Sequence, residues 1–329
     1  MLIHRSLQRQ LGSLMVAIAA LLPGATYAAS KWPDKPLHML VGFPPGGASD
    51  VMARLVADKL GRSLGQTVIV ENRPGAAGTR AASDAARAEP DGYTLLLASP
   101  TAITLAPSTM AKTIKYDPAK DLAPISKVAD YPLFLLARPG LGVHTVAQLL
   151  DKARQQPGKL NFGSFGNNTS GALATEMFKV MGKVDMLHVP FNGSAPALQA
   201  LLGGEVDLLF DTAVTAIPNM KAGKLVTLAV SSARRSKIAP DLPTVAETLP
   251  GFEAGSWVGL MAPAGTPEPV ISRIQQEVAR IVALPDIRQR FQQLGAESVG
   301  DTPAEFRKAL QAETERYAKL VKAAHLKVQ

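Results

Sequence analysis

From Leu37 onward the chain alternates short apolar runs with longer amphipathic stretches, and this alternation leaves few architectures open. Strand-length apolar runs separated by helical periodicity build a largely parallel sheet covered by helices, so the expected fold class is α/β. The runs at 37–43, 68–70, 94–98, 133–137, 206–210 and 225–231 read as strands. Apolar spacing of three and four residues over 51–64, 172–181, 195–202, 269–283 and 303–323 reads as helices. Two extended runs, at 131–138 and 230–234, lead into proline, glycine or charged loops and look like crossings between two lobes. About a hundred residues lie between them, an ordinary domain size. The expected division is a discontinuous first lobe, 31–132 plus 233–329, and a second lobe, 133–232. Two connecting strands form a hinge, and a hinge between α/β lobes implies closure on a ligand. Two rigid domains in fixed contact remain the alternative.

The N-terminus sets an expectation about compartment. Arg5 and Arg9 precede an apolar run, 11–22, followed by Pro23-Gly24 and the small-residue stretch 25–29. This is the layout of a secretory signal peptide, with cleavage expected after Ala28. The run falls short of the roughly 20 apolar residues that a membrane helix needs. A retained anchor is the alternative. The net charge of +8 falls to +6 without Arg5 and Arg9, because 1–28 carries no acid. The remaining basic residues are scattered among acids and lack aromatic platforms, which argues against nucleic acid as a partner. With zero cysteines there is no disulfide framework, thiol nucleophile or thiolate metal site. No cofactor motif stands out and no metal ligand set converges, so neither is expected.

Four segments have the chemistry to hold a small ligand. Phe43-Pro44-Pro45-Gly46-Gly47-Ala48-Ser49-Asp50 follows a strand and precedes a helix, where glycines admit close approach and helix N–H groups favour an anion. Ala48 stands where a phosphate loop requires lysine, which argues against a nucleotide triphosphate. Asp50 reads as a helix cap, since its charge would repel a carboxylate. The donor-rich 161–171 opens a second helix; Gly163-Ser164-Phe165-Gly166 lacks the spacing of a nucleophile elbow. The histidines of the mature chain, His38, His144, His188 and His325, read as structural or surface residues rather than as a base for Ser164. Asn192-Gly193-Ser194 begins a third helix, and Asn192 either meets a ligand or caps. Asp211, at a strand end, meets a ligand amine or orders a loop. Ser99 and Thr101 end another strand. None of these loops contains Lys or Arg, and Arg54 is expected to face solvent or a neighbouring acid.

The ordered series WPDKP, FPPGGASDVMAR, VENRPGAAG, PDGYTLLLAS, KDLAPIS, FGSFGNNTSGALATE, VPFNGSAPALQALLGGEVDLLFD and LPTVAETLPGFEAGSWVGLMAPAGTP closely resembles the Bug receptors. These are the periplasmic solute-binding components of tripartite tricarboxylate transporters. The resemblance spans essentially the whole mature chain. It implies a two-lobed Venus-flytrap periplasmic binding protein, type II-like, that grips a small mono- or dicarboxylate without reacting with it. It also implies delivery to membrane permease subunits. Carried onto this chain, the contacts fall on Phe43, Pro45, Gly47, Ala48, Ser49, Thr101, Ser164, Asn168, Thr169, Asn192 and Asp211, and the protein is expected to be a periplasmic monomer. Phe165 and the paired asparagines depart from the small residues common in the family. Two other readings stay open: a receptor that signals to a membrane sensor, and a secreted α/β hydrolase using Ser164.

Overall fold

The computed structural model describes residues 32–167 and 169–323. The expected signal peptide, Asn168 and His325 lie outside the described residues. Among the described residues ten strands are joined in one sheet, eight along the path β2-β1-β3-β9-β4-β7-β5-β6, with β8 and β10 off it and paired to β4. The first half contains β1 (Leu37–Val41), β2 (Val68–Asn72), β3 (Thr94–Ala98), β9 (Gly255–Pro263) and the short β10 (Glu297–Ser298). The second contains β5 (Asn161–Ser164), β6 (Leu187–Pro190), β7 (Leu208–Thr212) and β8 (Val226–Val230). β4 (Leu122–Ala137) belongs to both: its first part pairs antiparallel with β9 up to Pro132, and from Leu133 it pairs with β7 and β8. β1 runs parallel to β2 and β3, and β5 runs parallel to β6 and β7, which sets ligand-accessible strand ends in each half.

Nine helices of two turns or more cover the sheet among the described residues: α1 (Ala48–Leu64), α2 (Thr79–Ala86), α3 (Val146–Gln155), α4 (Ser170–Gly182), α5 (Ser194–Gly203), α6 (Ala213–Lys221), α7 (Glu268–Ala283), α8 (Pro285–Gln293) and α9 (Pro303–Ala323). Their apolar stripes are the reason they stay. α7 buries Val270, Ile271, Ile274, Val278, Ile281 and Val282, a spacing that keeps one face on the sheet. α5 stops at Gly204, whose φ of 79° closes the helix in the left-handed region. Between β3 and the one-turn helix Ala106–Thr109 the chain makes a π-turn, Thr101–Leu105.

The side-chain alternation of β4 builds two cores in the second half. Leu133, Leu135 and Ala137 join Phe162, Phe178, Phe210 and Phe252 on one face, while Phe134 and Leu136 join Leu201, Leu209 and Val230 on the other. In the first half Leu40, Leu96, Trp257, Met261 and Phe306 form a separate core. Phe306 stands edge-on to Trp257 at 5.3 Å and fills the space over Gly259, where any Cβ would sit 2.5 Å from its ring. Residues 239–254 pack with the second half: Val245, Leu249, Phe252 and Ala254 share the core of Phe210, and the Phe210 and Phe252 rings stack at 6.0 Å. The chain returns to the first sheet only at Gly255. Ser231 ties the crossing: its hydroxyl accepts the Leu133 N–H at 2.8 Å and its carbonyl accepts the Ala254 N–H at 2.9 Å.

Candidate functional site

In the first half, β1 ends at Val41 and hands the chain to a loop that side chains hold in place. Asp50, 3% exposed, accepts from the Gly46 N–H at 2.9 Å, from Asn72 Nδ2 at 2.9 Å and from Arg54 Nε at 3.1 Å. Burial pushes this carboxyl up, but the bonds from Arg54, Gly46 and Asn72 outweigh it and hold the group below its ordinary range. Asn72 Nδ2 also donates to the Phe43 carbonyl at 3.0 Å. Asp50 and Arg54 are therefore consumed in bracing the loop. Pro44 to Gly47 are left exposed, with Phe43, Ala48 and Ser49 half-buried. No side chain caps α1 at Gly47, so its first N–H groups are available to an anion. Tyr131, at the crossing, brings its hydroxyl to Ser49 and, at 3.1 Å, to Ser256.

The third element of this half is a loop that sequence reading quoted only as a motif, Gly75-Ala76-Ala77-Gly78. Ala76 and Ala77 are held at φ of 47° and 55°, a left-handed conformation costly for residues with a Cβ. Gly78 lies so close to Gly42 that a Cβ on Gly42 would stand 2.6 Å from its Cα. Thr101 is buried and donates to the Ala77 carbonyl at 2.8 Å, with Ser99 Oγ 3.0 Å away. The paired glycines of 75–78 were the available signal for this loop. It joins the Phe43 segment to Thr101.

In the second half, Ser164 closes β5 and is fully buried. Its hydroxyl donates to the Gly166 carbonyl at 3.0 Å and lies 2.7 Å from His188 Nε2. His188 stacks on Phe162 at 4.6 Å, and burial, with the charge of Lys179, holds its pKa below the ordinary value. Thr169 donates to the same Gly166 carbonyl at 2.8 Å and caps α4. Phe165 folds over Gly171, leaving no room for a Cβ there. The Phe191 N–H donates to the Ser164 carbonyl at 2.9 Å, which brings the β6 loop beside the β5 loop, with Asn192 exposed at its tip. Asp211 is fully buried, and both its oxygens accept from Ser194 Oγ at 2.7 Å while one takes the Thr212 N–H. Burial raises its pKa to about 6 against the bonds from Ser194, Thr215 and Thr212. Of the two roles left open for Asp211, its contacts are those of loop ordering.

The sequence-derived positions thus form two clusters of strand-end loops: Phe43, Pro45, Gly47, Ala48, Ser49 and Thr101 in one, and Ser164, Thr169, Asn192 and Asp211 in the other. A crevice of about 820 Å³ lies elsewhere, between the crossing strands, the 232–237 loop and α9, and none of these positions lines it. Its walls carry both signs of charge, including Lys127, Asp130, Arg234 and Glu253. Among the described residues no group of three or more His, Cys, Asp or Glu is arranged to hold a metal, and no helix is long and apolar enough to cross a membrane.

The family model for the tripartite tricarboxylate transporter family receptor matches residues 52–326. The chain belongs to that family. Among similar proteins, BugT of Bordetella pertussis is 34% identical over 96% of this chain and 98% of its own length. An R. palustris structure with adipate is 35% identical, covers 90% of this chain and 99% of that one, and superposes with a TM-score of 0.84. MatC from Rhodopseudomonas palustris, with bound malate, is 33% identical over 88% of this chain, with a TM-score of 0.80. The fold is accordingly the two-lobed α/β architecture of these solute-binding receptors.

Proposed function

We propose that this chain captures a small organic mono- or dicarboxylate in the periplasm, as a monomer, and passes it to the membrane subunits of a tripartite transporter without altering it. The observation that carries this reading is the makeup of the two loop clusters. They offer an uncapped helix start at Gly47 and the exposed amide of Asn192, while the hydroxyl protons of Thr101, Ser164 and Thr169 go to backbone carbonyls and the acids Asp50 and Asp211 are buried and already bonded. A carboxylate there meets donors and no free negative charge. Such contacts are individually modest, which suits reversible capture. Solved relatives that carry adipate and malate support the ligand class.

In this reading the lobes are 35–132 with 255–329, and 133–254, a division supported by the core membership of Phe252 and Ala254. Phe43, Pro45, Gly47, Ala48, Ser49, Thr101, Asn168, Thr169 and Asn192 form the grip, and Ser164 and Asp211 act by holding its loops. Residues 1–28 direct export and are removed; N-terminal sequencing of periplasmic protein tests this. For the function, the test is a thermal-shift and calorimetric screen of the mature chain against adipate, malate, succinate, citrate, aromatic acids and amino acids. A ligand that binds only the folded form raises the melting temperature by mass action. A shift with one or a few of these acids and none with a neutral control such as glucose is expected, and no shift with any of the acids overturns the reading.

A further inference from the structure

We propose that α9 couples the two halves of the grip: Glu313 positions the Thr101 turn, and Leu173 of α4 docks on the same helix. This rests on the receptor reading for its purpose and on geometry for its existence. Glu313, with a side chain only 14% exposed, accepts from Thr104 Oγ1 at 2.8 Å and from Trp257 Nε1 at 2.7 Å through one oxygen, and from the Tyr317 hydroxyl at 3.3 Å through the other. Thr104 lies inside the π-turn Thr101–Leu105, and the turn's Ala102 carbonyl is held from the far side by the Tyr116 hydroxyl at 2.6 Å. Departures of this kind from regular helix concentrate at functional sites. The carboxylate therefore fixes the turn that begins with the candidate hydroxyl.

The second attachment lies farther along the same face. Tyr317 and Val321 follow Glu313 at intervals of four, which keeps them on one stripe of the helix. With Leu105 they receive Leu173, and the four form a buried apolar cluster separate from the cores described above. Leu173 is the member contributed by α4, while Ala174 and Phe178, also buried on that helix, pack on the second-half core. The spacing repeats on both sides. Thr101 stands four residues before Leu105, and Thr169 stands four before Leu173, with the Leu173 N–H on the Thr169 carbonyl at 2.9 Å. Each candidate hydroxyl is thus one helical turn from the cluster. Movement of either loop alters the packing that the other loop's leucine meets. Glu313 is a positioning residue in this scheme and touches no ligand.

Amide hydrogen exchange on the mature, ligand-free protein tests the coupling. Leu173→Ala should speed exchange at 101–105 by about tenfold as well as at 169–173. Glu313→Ala should do the same at both segments, and Glu313→Gln, which keeps one acceptor for Thr104 and Trp257, should restore most of the protection. In a Trp32→Phe background, Trp257 emission reports the same bond and should shift in Glu313→Ala. Exchange confined to the segment that carries the substitution overturns the proposal, as does Glu313→Gln matching Glu313→Ala. Titration with adipate and malate separates this from the function. If the wild type binds neither, the receptor reading loses support while the exchange data still decide the coupling; if it binds, Leu173→Ala should weaken affinity by about five- to tenfold.

Discussion

Ser164 Oγ and His188 Nε2 stand 2.7 Å apart, on adjacent parallel strands that bring positions 24 residues apart in sequence into contact. In a hydrolase such a pair would be a nucleophile and its base. Here the hydroxyl is fully buried and donates to the Gly166 carbonyl, and His188 lies flat on Phe162. Among the described residues no carboxylate orients the imidazole. The contacts shown are those that hold the Gly166 turn. The expected outcome with p-nitrophenyl acetate and a set of amides is no hydrolysis above background, and none that Ser164→Ala removes. Turnover abolished by that substitution would restore the enzymatic reading.

Asp211 should leave a mark on stability against pH. Its pKa is raised from 3.8 to about 6, so the folded state holds a proton that the unfolded chain has released between those values. The associated stability is fully present below pH 3.8 and is lost as pH rises through about 6. Asp211→Asn, which keeps an acceptor for Ser194 and does not ionise, should flatten this decline. Urea unfolding of both proteins from pH 4 to pH 7 reads the difference, and parallel curves would count against a raised pKa.

Gly42→Ala should destabilise the protein by about 1–3 kcal/mol, the usual cost of forcing an extra methyl into packed space. The atom in the way is Gly78 Cα at 2.6 Å, which is backbone and cannot swing aside as a side chain would. Chemical denaturation checks the cost. Carboxylate binding should fall in the same variant, because the displaced segment supports both Phe43 and Thr101.

Thr169→Val should lose about 1 kcal/mol from removal of the α4 cap. It also removes the bond to the Gly166 carbonyl, whereas Thr169→Ser retains the hydroxyl and should stay near the wild type. Urea midpoints of the two variants make the comparison. Equal losses would show that the methyl matters as much as the hydroxyl, and an unchanged Thr169→Val would remove the cap from the account.

How much of this was legible depends on whether the signal was local. The strand 94–98 and the helix 303–323 have the bounds their sequence predicts, the strand because its apolar run is unbroken and the helix because Pro303 opens it and apolar residues recur on one face on either side of Glu313. β4 was read only from residue 133, because Pro124, Lys127 and Asp130 break the alternation where the strand shifts register against β9. β9 itself went unread: Gly255 and Gly259 look like breakers, yet Gly259 is there to admit the Phe306 ring. In the candidate site, the place of Asp50 at a helix start points to a cap, but α1 starts after Gly47 with no side-chain cap, and Asp50, inside its first turn, braces the loop through Gly46 and Asn72. The Ser164 and His188 contact has no local signal, since it depends on the register between β5 and β6. Likewise, nothing local ties Thr104 to Glu313, 209 residues away.

The strand common to both sheets has a practical outcome for anyone dissecting the molecule. Cutting the gene after Pro132 would leave β7 and β8 with 133–137 but would take both 122–132 and β3 away from β9, so both fragments would expose unpaired backbone and invite aggregation. The two halves are pages of one binding, sewn at β4 and again where the chain passes from Ala254 to Gly255, and neither can be issued as a separate volume.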